Sequence, residues 1–214
     1  AVVETEWLKK FLAELRKQGT KFDLNVETIE RIQIAAASFE QNYRTEFSQQ
    51  HDHFRLIGQD NYRHYRAIDC IRVRVHAADT PFDLFARVIA ARLVGAEVTI
   101  SSPVGLESRA ATCLQTIARV IGIVIPFVEE TDEQLAQVIR KQKTDRVRYA
   151  APNRVSVDVL RAAAEAYVSV VSVPVVAEGR LELLWYVREQ SLSEDYHRYG
   201  NLGARADEPR ADTL

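Results

Sequence analysis

Hydrophobic positions near the start of the chain recur at the spacing of an α-helix. In residues 4–18, Phe11 and Leu15 belong to one apolar stripe, and a second amphipathic helix is predicted from an N-cap at Asn25 to about Phe47. Each stripe must be covered by other apolar groups. We therefore expect this helical lead-in to pack either on the domain that follows it or on a domain outside this chain.

From residue 67 the pattern changes, and short β-branched runs alternate with helical segments. Two of these helices begin at clear caps, Thr80 with Asp83 in a capping box and Thr131 before an acidic first turn. Strands separated by helices require crossover connections, so the pattern predicts a doubly wound, mostly parallel, Rossmann-like α/β sheet. The predicted strands are residues 67–76, 98–101, 123–128, 146–149 and 168–176.

Two further stretches lie outside this alternation. The apolar residues 181–187 predict another strand, either a hairpin that leaves the sheet to pair with another subunit or the last strand of the sheet. Residues 188–203 are aromatic, charged and punctuated by glycine, unlike a plain surface tail. Any specific function is expected to be expressed through this segment and what it covers, whereas the last residues, 207–214, have a disordered composition.

Composition narrows the classes of function. The chain is 47% hydrophobic and 27% charged with a net charge of −2, which is typical of a globular protein and gives no general attraction to nucleic acid or anionic membranes. It has no apolar run long enough for a membrane span and no signal peptide, so we predict a cytoplasmic protein. It also has no methionine, which suggests a fragment of a longer polypeptide.

Two charged or aromatic features have alternative interpretations. Residues 58–66 combine tyrosines with arginines and could stack on nucleic acid, but we favour a connector whose tyrosine rings cover a sheet edge. The acidic pairs Glu129-Glu130 and Glu194-Asp195, together with the arginine pairs, are interpreted as solvated caps and surface charges.

The predicted sheet points to where a ligand would bind. Ligands of doubly wound sheets bind at the carboxyl ends of the strands. The loops there contain neither GxGxxG nor GxxxxGK[ST], although Ser101, Ser102 and Gly105 could offer hydroxyl and N–H groups to a phosphate at the next helix N-terminus. The alternative is a simple β-to-α turn. These loops are residues 76–80, 101–106, 129–131 and 150–155.

Catalytic and metal-binding patterns are sparse. His51-Asp52-His53 has no third metal ligand at a recognisable spacing and is interpreted as a polar loop. His76 could act as a base beside Asp79, but a single loop histidine is a poor signal. Cys70 and Cys113 are expected to be buried small hydrophobes rather than a nucleophile or a disulfide. We predict no catalytic residue and no metal site in this chain.

Several stretches together resemble a known family. These are residues 58–63, the helix end Ala-Arg-Leu-Val-Gly-Ala-Glu-Val-Thr-Ile, and the terminal residues 189–193 followed by Gly200-Asn201. From about residue 58 onward the chain resembles the C-terminal region of the PutA family. These bifunctional proline-catabolic enzymes join proline dehydrogenase to L-glutamate-γ-semialdehyde dehydrogenase, also called Δ1-pyrroline-5-carboxylate dehydrogenase.

The resemblance implies a domain organisation and a role. Residues 1–57 would be a helical connector, 58–179 a Rossmann-like domain similar to the NAD-binding half of aldehyde dehydrogenases, and 180–214 a β-flap and tail. The implied role is non-catalytic: the module covers the cavity through which the intermediate passes and supports the dehydrogenase domain. Other domains of the same polypeptide would be its partners, with a homo-oligomer formed through the flap. The residues implied at the channel lid or interface are Ser191, Leu192, Ser193, Tyr196, His197, Arg198, Tyr199, Gly200 and Asn201.

Departures from the aldehyde dehydrogenase pattern bear on cofactors. The place of the family's Lys-Pro-Ser-Glu reads Ser101-Ser102-Pro103-Val104, and the turn at residues 76–79 lacks the family's Trp-Asn. The chain also has no cysteine in a Gly-Gln-x-Cys setting. We therefore expect no cofactor in this segment, with FAD and NAD bound elsewhere in an oxidoreductase parent. The alternative is an independent nucleotide- or anion-binding α/β protein.

Overall fold

The computed structural model describes residues 5–197 and 200–208. Its α-helices are α1 (Glu6–Gln18), α2 (Val26–Asn42), α3 (Pro81–Leu93), α4 (Arg109–Ile121), α5 (Asp132–Arg140), α6 (Val157–Ala166) and α7 (Gly179–Glu182). Its strands are β1 (Gln59–Ala67), β2 (Cys70–Arg74), β3 (Glu97–Ser102), β4 (Phe127–Glu129), β5 (Arg146–Arg148), β6 (Ser169–Val171) and β7 (Val187–Asp195). A π-helical turn, Tyr43–Phe47, extends α2, and a 3-10 helix, Leu183–Tyr186, follows α7.

Five strands form the predicted parallel sheet. Their order is β4-β3-β2-β5-β6, with β2 in the centre and every neighbouring pair parallel. From β2 the chain winds outward through β3 and β4 and then returns to β5 on the other side. This reversal confirms the doubly wound α/β fold and creates a crevice between the carboxyl ends of β2 and β5.

The helix starts follow the capping residues. Asn25 Oδ1 accepts from the Thr28 N–H at 2.8 Å. At α3, the Thr80 hydroxyl accepts from the Asp83 N–H at 3.1 Å while Asp83 accepts from the Thr80 N–H at 2.9 Å, which completes the predicted capping box. The predicted start of α5 at Thr131 is likewise confirmed by a reciprocal box with Gln134.

The N-terminal helices pack on the sheet domain. Helix α1 contacts α4, and α2 contacts both α3 and α7. Phe11 and Phe39 are buried in the same apolar core as Phe85, and the rings of Phe11 and Phe85 lie 5.9 Å apart. The stripes of α1 and α2 are thus covered by the following domain, the first of the two alternatives.

The predicted strand at residues 181–187 is wrong, because only Val187 lies in a strand. The segment is helical: Glu182, Leu183 and Tyr186 face inward and are buried, whereas Leu181 and Leu184 are largely exposed. This inward spacing of three to four residues is that of a helix. A close contact with α2 fixes the segment, since the Gly179 N–H donates to Ser38 Oγ at 2.9 Å.

Strands β1 and β7 form a separate two-stranded antiparallel sheet, which we call the arm. Its register runs from Gln59 opposite Asp195 to Ala67 opposite Val187. The interpretation of residues 58–66 as a connector is therefore wrong. The segment is a strand of the arm, and the ring of Tyr65 packs on Phe47 at 4.8 Å.

Candidate functional site

Ionic side chains fill the carboxyl edge of the parallel sheet. Arg74, at the end of β2, is 3% exposed. Its Nη1 donates to Ser101 Oγ at 2.9 Å and to the Glu130 carbonyl at 3.0 Å, and its Nη2 donates to Asp132 at 2.8 Å. Arg72 donates to the Glu130 carboxylate at 3.0 Å. Arg74 and Glu130 are buried and Arg72 is half-buried, so the interpretation of Glu130 and these arginines as surface charges is wrong.

The loop after β2 is closed by a second ionic cluster. The Asp79 carboxylate accepts from the guanidinium groups of both Arg87 and Arg154. Arg87 is fully buried, and its Nη1 also donates to the main-chain carbonyls of Arg74 at 2.9 Å and Arg148 at 3.1 Å. These guanidinium groups already hold carboxylates and carbonyls, so the loop has little capacity left for a pyrophosphate.

His76 and Asp79 do not form the acid–base pair considered from the sequence. His76 Nδ1 accepts from the Ala78 N–H at 3.0 Å, and Asp79 is held by arginines. Only the main-chain N–H of His76 reaches the Asp79 carboxylate, at 3.2 Å. The pair therefore serves to shape the loop.

The three candidate phosphate-binding residues do not converge on one point. Ser101 is fully buried and accepts from Arg74. Ser102 lines a cavity of about 500 Å³, whose wall also includes the acidic Glu107 and Glu129. Gly105 has φ +74° and no neighbour within 4 Å of the position of a Cβ. The geometry at these residues is that of a β-to-α turn.

A buried ion pair fixes the base of the arm. Arg148 Nη2 donates to Glu182 at 3.0 and 3.3 Å, and both residues are fully buried. Glu182 also accepts from the Tyr186 hydroxyl at 2.7 Å and from the Val176 N–H at 3.1 Å. Burial lowers the pKa of Arg148, but the partners Tyr186 and Glu182 outweigh burial and leave that pKa raised. The 3-10 helix that leads into β7 is thus tied to the end of β5.

The two long edges of the arm differ. The outer edge of β1 is partly covered, because His51 exchanges two main-chain hydrogen bonds with Arg63, at 2.9 and 2.8 Å. Within residues 5–197 and 200–208, β7 pairs with β1 alone. Its side chains from Arg188 to Asp195 are exposed, including Leu192 at 51%. The outer edge of β7 is therefore open to another strand.

The segment after β7 folds back on the tip of the arm. The Tyr196 N–H donates to the Gly58 carbonyl at 2.9 Å, and the Tyr196 hydroxyl accepts from the Gly58 N–H at 2.9 Å. His197 Nδ1 lies 2.9 Å from the same carbonyl. Gly58 has φ +90°, and a Cβ there would lie 2.7 Å from His197, so glycine is required for this contact.

An ionic anchor holds the tail farther along. Arg205 donates to Asp60 at 2.7 and 3.3 Å and stacks over the Tyr196 ring at 3.9 Å. Hydrogen bonds to Glu208 and Asp60 raise the pKa of Arg205 above its usual range. Through Tyr196 and Arg205, the part of the tail that the structure describes lies against the arm.

The remaining residues implied at the lid are divided between the arm and the tail. Ser191, Leu192 and Ser193 lie on β7, and Ser193 Oγ donates to Asn61 at 2.7 Å. Arg198 and Tyr199 lie outside the described residues. Gly200 and Gly203 both have positive φ, so each lies in a left-handed turn. No described atom lies within 4 Å of where a Cβ would be, so neither glycine makes a close backbone contact with the described residues. Asn201 Oδ1 caps one of them by accepting from the Gly203 N–H at 2.8 Å.

Asp79 and Asp83 are recognisable in the sequence only as loop and capping residues, and the arginines that bind them are not singled out there. Asp79, Asp83 and Arg87 recur every four residues around the start of α3, which could have indicated one polar helix face. Arg154 pairs with Asp79 and Glu182 pairs with Arg148, and both partners are distant in sequence. No local sequence pattern therefore indicates these ion pairs.

The two cysteines and the histidines of residues 51–53 are the other candidates named from the sequence. Cys113 is buried, as predicted, and burial raises the pKa of its thiol to about 11. Cys70 was predicted to be buried as well but is only half-buried. The rings of His51 and His53 stack 5.3 Å apart, and no set of three potential metal ligands occurs among residues 5–197 and 200–208. None of the helices in these ranges has the length and apolar character needed to cross a membrane.

Comparison with known proteins finds solved structures that share this fold. No protein-family model matches the chain, and no curated protein matches it. Among solved structures, Proline Utilization A (PutA) from Corynebacterium freiburgense is 26% identical over 82% of this chain and 14% of its own, with a TM-score of 0.50. Other matching structures are named as aldehyde dehydrogenases.

Two further neighbours extend the comparison. Lactaldehyde dehydrogenase from Escherichia coli is 17% identical over 78% of this chain and 38% of its own, with a TM-score of 0.61. Succinic semialdehyde dehydrogenase from Streptococcus pyogenes, solved in complex with NADP+, is 15% identical over 77% of this chain and 39% of its own, with a TM-score of 0.62. At these sequence identities, the structural similarity establishes the fold alone. The chain spans well under half the length of all three structures.

Proposed function

We propose that this chain is the non-catalytic C-terminal module of a proline-catabolic bifunctional enzyme of the PutA type. Its arm and tail cover the cavity through which the semialdehyde intermediate passes, and its α/β domain supports the aldehyde dehydrogenase domain or its oligomer. FAD and NAD are bound by other parts of that polypeptide, and this segment holds neither. Residues 1–57 act as the connector, 58–179 as the Rossmann-like domain and 180–214 as the flap and tail.

The observation that carries the proposal is the arm. A two-stranded sheet standing alone in water is marginally stable, and an open strand edge tends to pair with another strand. β7 has such an edge along nine residues, and Leu192, near its middle, is half exposed and apolar. An arm of this kind is suited to continuing a sheet of a neighbouring domain or subunit.

The sheet edge supports the non-catalytic part of the proposal. In a dinucleotide-binding sheet, main-chain N–H groups at the carboxyl edge are free to receive phosphates. Here Asp79 occupies the first loop and is held by two arginines, and the Arg74 guanidinium is bound to Ser101 and Asp132. The alternative of nucleotide binding through Ser101, Ser102 and Gly105 lacks a shared site for the three residues.

A pair of variants in the intact protein tests the covering role. Leu192→Asp places a charge near the middle of β7, where it disfavours docking of an apolar strand. Val124→Asp is the matched control, because Val124 is 82% exposed and lies in the loop before β4. The assay follows conversion of proline to glutamate and measures how much semialdehyde an external amine reagent traps.

The two variants should differ in one step only. Leu192→Asp should release more trappable intermediate and lengthen the lag before glutamate appears, while the rates of each half-reaction with its own substrate stay unchanged. Val124→Asp should behave as the unmodified protein does. Equal trapping in all three proteins would overturn the covering role. Absence of both half-reactions from the intact protein would overturn the assignment to a bifunctional enzyme.

A further inference from the structure

The crevice between the carboxyl ends of β2 and β5 holds a cavity of about 470 Å³. This size falls within the usual range for small-molecule sites. Its wall includes Val75, Pro103 and Val104 on one side and Tyr149, Arg154 and Ser156 on another. The cavity is separate from the arm and takes no part in the role proposed above.

A buried hydroxyl in this wall has no acceptor. Tyr149 is 2% exposed, and no group among the described residues accepts a hydrogen bond from its OH. The neighbouring guanidinium of Arg74 can only donate, so it cannot accept the hydroxyl proton. Burial raises the pKa of Tyr149 above its usual range, and Asp132 and Glu130 add to this against the opposing effect of Arg74. The group therefore remains a protonated donor that lacks an acceptor.

A second donor lies on the same wall. Arg154 Nη1 is held by Asp79, and Asp83 lies 3.6 Å away. The hydrogen bond and the ion pairs of Arg154 within the described residues all run through Nη1, which leaves its Nε and Nη2 groups to donate to a ligand. The N-terminus of α6, capped by Ser156, also lies at the cavity and adds a positive partial charge.

The charge of the surrounding cluster limits the ligand. Three guanidinium groups meet three carboxylates at this edge, so the cluster is close to neutral and has no excess charge for a pyrophosphate. The remaining donors can hold a single anionic group, and the valines can cover a short apolar chain. The paired groups are Arg74, Arg87 and Arg154 with Asp79, Asp83 and Asp132.

We propose that this crevice binds a small monocarboxylate with a short apolar chain. The carboxylate accepts from the Tyr149 hydroxyl and from Arg154, and the apolar chain lies against Val75 and Val104. Binding of this kind supplies the acceptor that the buried hydroxyl lacks in the empty protein.

Isothermal titration with butyrate tests the site in the unmodified protein and in Tyr149→Phe. The substitution removes one oxygen and keeps the ring, so the affinity should fall roughly tenfold, the size of one hydrogen bond to a charged group. Tyr167→Phe is the matched control, because Tyr167 is 96% exposed, and it should bind butyrate as the unmodified protein does. 1-Butanol, inorganic phosphate and NAD+ are titrated in parallel and should bind at least tenfold more weakly than butyrate.

Thermal unfolding of the empty proteins provides a second readout. Tyr149→Phe removes an unsatisfied buried group, so it should unfold at the same temperature or higher, yet lose the rise in unfolding temperature that butyrate produces. A lower unfolding temperature for empty Tyr149→Phe would mean that the hydroxyl has a structural partner and would overturn the proposal. So would equal butyrate affinity in both proteins, absence of saturable butyrate binding, or tighter binding of phosphate or NAD+.

Discussion

Replacing Glu182 by Gln should be strongly destabilising, because it leaves the Arg148 charge buried without a counter-ion. The substitution keeps the size of the side chain, but one of the oxygens that accept from Arg148, Tyr186 and Val176 becomes an N–H donor. Removing one partner of a buried ion pair typically costs about 3–5 kcal/mol. A domain is stable by only about 5–15 kcal/mol in total, so the loss should be a large part of the free energy of unfolding.

Urea denaturation followed by circular dichroism measures this loss. Glu165→Gln is the control, since Glu165 pairs with Arg140 at 2.7 Å with both side chains at least one third exposed, and it should cost at most about 1 kcal/mol. The double variant Arg148→Met/Glu182→Leu buries no charge and should recover most of the stability lost by Glu182→Gln. If Glu182→Gln unfolds at the urea concentration of the unmodified protein, the ion pair does not hold the base of the arm.

Three further predictions concern packing, the thiols and the tail. Gly179→Ala should destabilise by about 1–3 kcal/mol in urea denaturation because its Cβ would meet the backbone oxygen of Ser38 at 2.5 Å, whereas Gly19→Ala should cost less because it meets only the end of a flexible side chain. A thiol reagent should label Cys113 only after the protein has unfolded. Because burial raises the pKa of Cys113 from 9.0 to about 11, the folded state holds the thiol proton more tightly than the unfolded state does. The free energy of unfolding should therefore fall as the pH rises from 9 towards 11, and it should fall less in Cys113→Ala. Asp60→Asn should weaken the anchor of the tail at Arg205 and accelerate tryptic cleavage there, while the urea midpoint should change by less than that of Glu182→Gln.

Local signals predicted the parallel sheet well. The caps Asn25, Thr80 and Thr131 mark helix starts through contacts within four residues, so the sequence alone determines them. The alternation of strands and helices then leaves few arrangements other than a doubly wound sheet. This part of the fold follows from short-range chemistry.

The arm and the ionic clusters depend on contacts distant in sequence. Gln59 bonds to Asp195, 136 residues later, and no periodicity within residues 58–66 indicates that partner. The run of leucines at 181–187 suggested a strand, but the burial of Glu182 beside Arg148 favours a helix. A buried carboxylate looks like any surface glutamate until its partner is known, and the same holds for Arg74 and Glu130.

In the function proposed above, this chain works as one part of a larger polypeptide with two activities. The direct measurement is the mass and flavin content of the endogenous protein, isolated with an antibody raised against this chain and examined by native mass spectrometry. We expect the antigen to lie in a chain several times heavier than 24.3 kDa that carries bound FAD. A flavin-free species of 24.3 kDa as the sole form would contradict it.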